Sequence, residues 1–124
     1  MELALETDGT LAILRVIGPV IGSDTTALSE YLRVARENGA IRCLVDLSEC
    51  TDMPTTIVPL LTREAAKLSE AGGALALASV DVQNPFLTQL VKSKKFLHYA
   101  TREEALAIER SRAIRLVDAP RTQP

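Results

Sequence analysis

The residues best suited to chemistry are two adjacent threonines, Thr55 and Thr56, which closely follow the acidic Asp52. Pro59 fixes their setting, because proline is tolerated only in the first turn of a helix, where its missing N–H had no acceptor. A helix that begins at Thr55 or Thr56 meets this condition. One that begins at Asp52 would carry Pro59 in its interior at a cost of roughly 3 kcal/mol. The pattern therefore predicts a threonine hydroxyl at the positively polarised N-terminus of a helix.

A hydroxyl in that position has two interpretations. It can carry a phosphate or hold an anion, both of which a helix N-terminus favours. It can also simply accept a hydrogen bond from the first turn, because threonine is a preferred N-cap residue. The residues alone leave both interpretations open, and both place Thr56 at the N-cap.

Enzymatic chemistry has little support elsewhere in the chain. His98 is the only histidine, and no serine or cysteine stands in a motif with it, so a nucleophilic triad is not predicted. Cys43, Cys50 and His98 do not supply the roughly four regularly spaced ligands of a zinc site. Gly72-Gly73 lacks the lysine and hydroxyl residue that follow in a phosphate-binding loop. We therefore expect no enzymatic activity, no metal and no cofactor.

Basic residues towards the C-terminus are the other group that could contact phosphate: Lys92, Lys94, Lys95, Arg110, Arg112 and Arg115. Acidic neighbours on the last predicted helix, Glu103, Glu104 and Glu109, favour a balanced and solvated helix surface instead. Two tyrosines, two phenylalanines and no tryptophan are too few for the exposed rings that single-stranded nucleic acid stacks on. We expect no nucleic-acid partner.

Length and composition limit the remaining possibilities. With 124 residues, 47% of them hydrophobic, the chain should form one domain over residues 1–117, with a frayed tail at 118–124. Cys43 falls in a predicted core strand, and neither cysteine belongs to a Cys-x-x-Cys pair, so we expect reduced thiols and a cytoplasmic protein. No apolar run approaches the roughly 20 residues that span a bilayer, and no basic segment begins a signal peptide. We expect no insertion into a membrane.

The hydrophobic pattern predicts the elements that position the threonines. Asp8-Gly9 signals a hairpin between two strands, and helices then separate three further strands, which should pair in parallel. The predicted order is β-β-α-β-α-β-α-β-α, an α/β domain with a mixed, mainly parallel sheet of about five strands and four helices. Its third strand, Ile41 to Leu47, should end in a polar turn from Ser48 to Asp52.

The later helices carry their own start and stop signals. The second should run from about Thr56 to Ala71 and end at Gly72-Gly73. Asn84-Pro85 predicts the start of the third, and Thr101-Arg-Glu-Glu104 is a capping box for the fourth.

Together with this order of elements, the segment Asp52-Met-Pro-Thr-Thr56 resembles the STAS domain of bacterial anti-sigma factor antagonists. Family members have a glycine near the end of the second strand, here Gly18, and an Asp-Leu-Ser-like turn after the third, here Asp46 to Ser48. A phosphorylatable Asp-Ser-Ser-Gly segment opens their second helix. Counting back from Gly72-Gly73 places Thr55 and Thr56 on the serine pair, with Thr56 on the phosphoacceptor. The resemblance extends from about Leu3 to Glu109 as a fold pattern.

The resemblance implies a non-enzymatic partner-switching module, as a monomer or weak dimer. Such a module binds an anti-sigma factor that is also a serine kinase, and phosphorylation ends the complex. We expect the contact surface near the second helix's N-terminus to consist of Asp52, Met53, Thr55, Thr56, Ile57 and Val58. Met53, Ile57 and Val58 should form its exposed apolar part.

Three alternatives to the phosphoswitch remain. The same count places Pro54 at the family's acidic position and Ile57 at its glycine, which leaves room for an unmodified binding module. A STAS-like structural subunit of a membrane-transport or sensory assembly also fits, and it should expose a substantial apolar patch. A carrier of a small ligand in the aliphatic interior is the third.

Overall fold

The structure, a computed structural model, describes residues 1–54, 56–79 and 96–118, with the side chains of the last helix described to Arg112. Five strands form one sheet in the order β1-β2-β3-β4-β5, in which β1 pairs antiparallel with β2 and the other pairs are parallel. The strands are β1 (Glu2–Asp8), β2 (Leu11–Pro19), β3 (Arg42–Asp52), β4 (Ala74–Ala78) and β5 (Leu97–Tyr99). The predicted mixed, mainly parallel α/β sheet is confirmed.

The described helices are α1 (Thr25–Glu37), α2 (Ile57–Glu70) and α3 (Arg102–Asp118), with a short 3-10 turn at Gly22–Asp24 before α1. The amide of Glu104 donates to the hydroxyl of Thr101 over 3.2 Å, which confirms half of the predicted capping box. The helix predicted to begin at Asn84-Pro85 lies outside the described residues, and so do residues 119–124 of the predicted tail.

The sheet separates two hydrophobic layers. α1 and α2 cover one face, against Leu14, Val45 and Leu77, while α3 covers the other, against Leu44 and its neighbours. Successive side chains of a strand point to opposite faces, so β3 and β4 are buried on both sides. That burial accounts for their nearly uninterrupted aliphatic sequences.

Gly73 joins α2 to β4 at a point of close backbone approach. A Cβ built at this residue would lie 1.6 Å from the carbonyl oxygen of Ile41, the same oxygen that accepts the amide of Ala74 over 3.1 Å. No side chain larger than hydrogen fits without moving the start of β4. Packing therefore requires glycine at position 73, while at position 72 the positive φ of 86° after the end of α2 favours it.

Both cysteines are free thiols, Cys43 buried in β3 and Cys50 half-buried further along the same strand. Burial raises the pKa of Cys43 to about 12, and burial also raises the pKa of Cys50. Because the thiolate is the reactive species, Cys43 should be inert near neutral pH.

Thiol titration of the native protein at pH 8 should therefore modify Cys50 first, and both thiols should react once denaturant is added. Mass spectrometry of the labelled peptides distinguishes the two sites. Labelling of Cys43 ahead of Cys50 in the native protein would contradict the burial seen here.

Candidate functional site

The strand that leads to the threonines is longer than its sequence suggests. β3 continues to Asp52, so the predicted polar turn at Ser48 to Asp52 is wrong. The cause is its neighbour β2, which pairs with it as far as Pro19 opposite Asp52. The register shifts between Arg15 and Ile17, where β3 has one extra residue, and such a bulge bends the strand.

Asp46 lies directly before this bulge and is buried. Its Oδ1 accepts the amide of Ser48 over 3.0 Å, and its Oδ2 lies 3.0 Å from Nε of Arg102, the first residue of α3. The Arg102 contact is an ion pair, because its angles are not those of a hydrogen bond. The Asp-Leu-Ser segment therefore ties β3 to α3, and it is not a surface turn.

The predicted start of α2 is confirmed. Thr56 occupies the N-cap position, Ile57 is the first helical residue and Pro59 is the third. The amide of Ile57 donates to the carbonyl of Pro54 over 3.1 Å, which closes the turn before the helix. Pro59 thus lies in the first turn, where its missing N–H costs little.

Thr56 is exposed, and its hydroxyl makes no capping hydrogen bond, so the interpretation of Thr56 as a side-chain cap is wrong. A threonine at the N-cap bonds to the amide of the second or third helical residue. Here the third residue is Pro59, which has no amide hydrogen to offer, and Thr56 has helical dihedral angles (φ −64°, ψ −14°) where a capping residue is usually extended. The hydroxyl is therefore available for other chemistry at the positive end of α2.

The segment before the helix is held by Asp52. Its carbonyl accepts the amide of Val20 over 2.9 Å, and its exposed side chain accepts the amide of Met53 over 2.9 Å through Oδ1. Thr55 lies outside the described residues, so its assignment as a second phosphoacceptor stays a prediction.

The apolar part of the predicted contact surface is mostly interior. Met53 is 4% exposed and Ile57 1% exposed, and both belong to the core between the sheet and the helices. Their predicted exposure is wrong because Ile57 continues the buried stripe of α2 at helical spacing, through Leu60, Leu61, Ala65 and Leu68. Val58 is half-buried beside them.

The exposed apolar residue of this region is Ile21, which the sequence analysis missed. Its side chain is 60% exposed, and its amide donates to Oδ2 of Asp24 over 3.0 Å, which fixes the turn that presents it. The preceding amide, of Val20, is the one bonded to Asp52, so the two segments lie side by side. The sequence did contain a signal for it, two consecutive apolar residues between Pro19 and α1. Val20 is buried and Ile21 is exposed.

Two further kinds of site were expected to be absent, and the described residues bear on both. The described part of the chain contains no group of three histidine, cysteine, aspartate or glutamate side chains arranged to hold a metal ion. None of its helices combines the length and the apolar character needed to cross a membrane.

The acidic and basic residues of α3 are not a uniformly solvated surface. Glu109 is fully buried, and its carboxylate accepts two hydrogen bonds from Arg42 over 2.8 and 3.1 Å and one from Tyr99 over 2.8 Å. Arg110 lies 3.5 Å from Asp8, and Arg112 lies 3.9 Å from Glu109. The predicted solvation of Glu109 is wrong, because a strand 67 positions away in the sequence supplies its partner.

Comparison by sequence gives no match, either to a family model or to a curated protein. Comparison by structure gives several. The anti-sigma factor antagonist SpoIIAA in its unphosphorylated form has a TM-score of 0.74 at 15% identity, over 89% of this chain and 97% of that one. The phosphorylated form of SpoIIAA, a Bacillus cell fate determinant, has a TM-score of 0.68 at 14% identity, over 86% and 97%.

An anti-sigma factor antagonist from Mycobacterium paratuberculosis has a TM-score of 0.72 at 20% identity, over 88% of this chain and 93% of that one. At identities this low, the structural similarity shows that the fold is shared and does not show that the function is. The chain therefore has the fold of the STAS-type anti-sigma factor antagonists.

Proposed function

We propose that the chain is a non-enzymatic regulatory module that binds an anti-sigma factor with serine-kinase activity in the bacterial cytoplasm. Phosphorylation of Thr56 by that partner ends the complex and so switches the partner between this chain and a sigma factor. The observation that carries the proposal is the exposed Thr56 hydroxyl at the N-terminus of α2, free of any capping bond. The shared fold supports it, because SpoIIAA is known in both phosphorylated and unphosphorylated forms.

The most exposed apolar side chain of the proposed contact surface is Ile21, and the exposed polar residues of that surface include Asp52 and Thr56. A desolvated anchor with a polar rim is the usual anatomy of a specific interface. Ile21 takes the role that the sequence analysis gave to Met53 and Ile57, while the half-buried Val58 remains available at the edge.

A phosphate on Thr56 would act on the interface and leave the fold intact. It adds about two negative charges at pH 7. The helix N-terminus favours those charges locally by about 0.3–1 kcal/mol, so the domain should not unfold. Across a partner contact the same charges must be desolvated, on a surface that already includes the exposed carboxylate of Asp52, and the complex should weaken.

We expect Thr56→Asp to keep the fold and weaken partner binding by roughly 10- to 100-fold, which is about 1.4–2.8 kcal/mol. Thr56→Ala should bind as wild type does and retain nearly all of its stability, because no capping bond is lost. The measurement is calorimetric titration with an anti-sigma factor kinase from the same genome, together with mass spectrometry after incubation with ATP. Ser111→Asp adds the same charge at an exposed position of α3 and is the matched control.

Ile21→Ser tests the binding surface independently of the phosphoacceptor. It should weaken binding and leave phosphate uptake by Thr56 possible at high kinase concentration. If Thr56→Asp binds as wild type does and no threonine takes up phosphate, the phosphoswitch is wrong. Loss of binding in Ile21→Ser would then still support an unmodified binding module.

The extent of exposed apolar surface bears on the alternative of a permanent structural subunit. Among the described residues, the exposed large hydrophobic side chains are Ile21, Tyr31 and Val34. Obligate interfaces are larger and more hydrophobic than these three residues allow. This favours a transient partner.

A further inference from the structure

Strand β1 is one of the two edge strands of the described sheet and pairs on one side only, with β2. Its seven residues keep an unbroken antiparallel register from Glu2 opposite Ile17 to Asp8 opposite Leu11. The strand contains no proline and no bulge, two of the features by which edge strands avoid further pairing, and its protection is confined to acidic side chains on one face. No other strand of the described ranges pairs with its outer side, so alternate amides and carbonyls there can bond to a further strand.

One face of this edge is apolar. Leu3 and Leu5 are half-buried against the core, and Leu5 lines a cavity of about 100 Å³ with Tyr31 and Val34 of α1. Tyr31 is 39% exposed and Val34 38% exposed, so two of the three exposed large hydrophobic residues of the described chain meet here. We call β1 and this cavity the edge groove.

The opposite face of β1 is acidic, because Glu2, Glu6 and Asp8 alternate with the apolar residues. Of the nearby arginines, Arg15 is 2.8 Å from Glu49 and Arg110 is 3.5 Å from Asp8. Within the described residues Glu2 and Glu6 thus have no ion-pair partner.

This charge pattern disfavours a second copy of the chain in the two symmetric registers described next, the first of which overlaps the whole of β1. In a symmetric antiparallel pair of β1 strands with Leu5 opposite itself, Glu2 faces Asp8. With Ala4 opposite itself, Glu2 faces Glu6. Like charges directly opposite each other on paired strands are destabilising.

We propose that the edge groove binds an extended segment of a partner protein in which basic and apolar residues alternate. The segment would add a sixth strand beside β1, with its apolar side chains in the cavity of Leu5, Tyr31 and Val34 and its basic side chains along Glu2 and Glu6. Strand addition of this kind takes affinity from main-chain hydrogen bonds and specificity from alternate side chains. The proposal goes beyond the switch at Thr56 and does not depend on it.

The test is an NMR titration of the full chain with a blocked seven-residue peptide of alternating lysine and valine. An alternating glutamate and valine peptide of the same length is the control. We expect shift changes confined to β1 and to α1 around Tyr31 and Val34, with the basic peptide only. Equal shifts with both peptides, or changes that avoid β1, would overturn the proposal.

Two variants sharpen the result. Glu6→Lys should weaken binding of the basic peptide roughly tenfold, because an attractive cross-strand pair becomes repulsive. Glu70→Lys, an equal charge change at an exposed residue of α2, should leave it unchanged. Val34→Lys, which fills the cavity with a charge, should also weaken binding. Equal binding by Glu6→Lys and wild type, or self-association through β1 in place of peptide binding, would show that the edge groove has another occupant.

Discussion

Replacing Glu109 by alanine should lower the free energy of unfolding by about 3–5 kcal/mol, the usual cost of removing one partner from a buried ion pair. Glu109 is fully buried, and Arg42 is only 8% exposed. Without the carboxylate, the guanidinium of Arg42 loses two hydrogen bonds and stays in the interior as an uncompensated charge. The hydroxyl of Tyr99 loses its acceptor at the same time.

Chemical denaturation measures this loss, with Glu30→Ala as the control. Glu30 pairs with Arg33 on the exposed side of α1, where an ion pair contributes about 0–1 kcal/mol. A loss below about 1 kcal/mol for Glu109→Ala would contradict the buried network.

The same network should make the free energy of unfolding depend on pH in the alkaline range. Burial, with the hydrogen bond to Glu109, raises the pKa of Tyr99 to about 12, while an unfolded tyrosine titrates near 10. Between those values the unfolded chain loses a proton that the folded chain keeps, so stability falls as pH rises. Tyr99→Phe should remove this part of the pH dependence.

Local patterns were sufficient for the outline of the fold and for the start of α2. The aliphatic runs at Arg42 to Leu47 and Ala74 to Ala78 are strands in the structure, because a strand covered on both faces has no polar alternation. Pro59 placed the start of α2 correctly, because its constraint acts within one helical turn.

The errors arose where partners are distant in the sequence. β3 extends through Asp52 because β2 offers it a pairing edge, and nothing within Ser48 to Asp52 shows that neighbour. Ile57 is buried because the stripe of α2 faces the sheet, although its position beside the polar threonines suggested exposure. Glu109 looked like one of several surface acids until the fold brought Arg42 to it.

Glu64 shows the same limitation within the helical layer. The sequence places it in an amphipathic helix, yet it is 1% exposed, with Arg36 of α1 at 3.2 Å and Lys67 at 3.8 Å. The hydroxyl of Ser29 donates a long hydrogen bond to Oε1 of Glu64 over 3.5 Å. Helical periodicity locates the buried stripe, and only the packing of α1 on α2 shows that a carboxylate completes it.

Replacing Leu44 by alanine should cost about 2–5 kcal/mol of stability, the range for removing a fully buried leucine side chain. Leu44 lies in β3, the central strand, and it is 0% exposed. Its register neighbours are Ile13 on β2 and Ala76 on β4, and α3 closes the layer above it. Because these neighbours belong to a hydrogen-bonded sheet, they can move little to fill the cavity, and the loss should fall in the upper part of the range.

Leu3→Ala provides the comparison, because Leu3 is half-buried on the edge strand β1 and borders solvent. It should cost well under half as much, since the remaining space can fill with water. Urea denaturation of both variants, with the slope of the transition compared with wild type, measures the two losses. A loss below about 0.5 kcal/mol for Leu44→Ala would mean that β3 is not the centre of the sheet. In that case β3 could not be the rigid strand that positions Thr56.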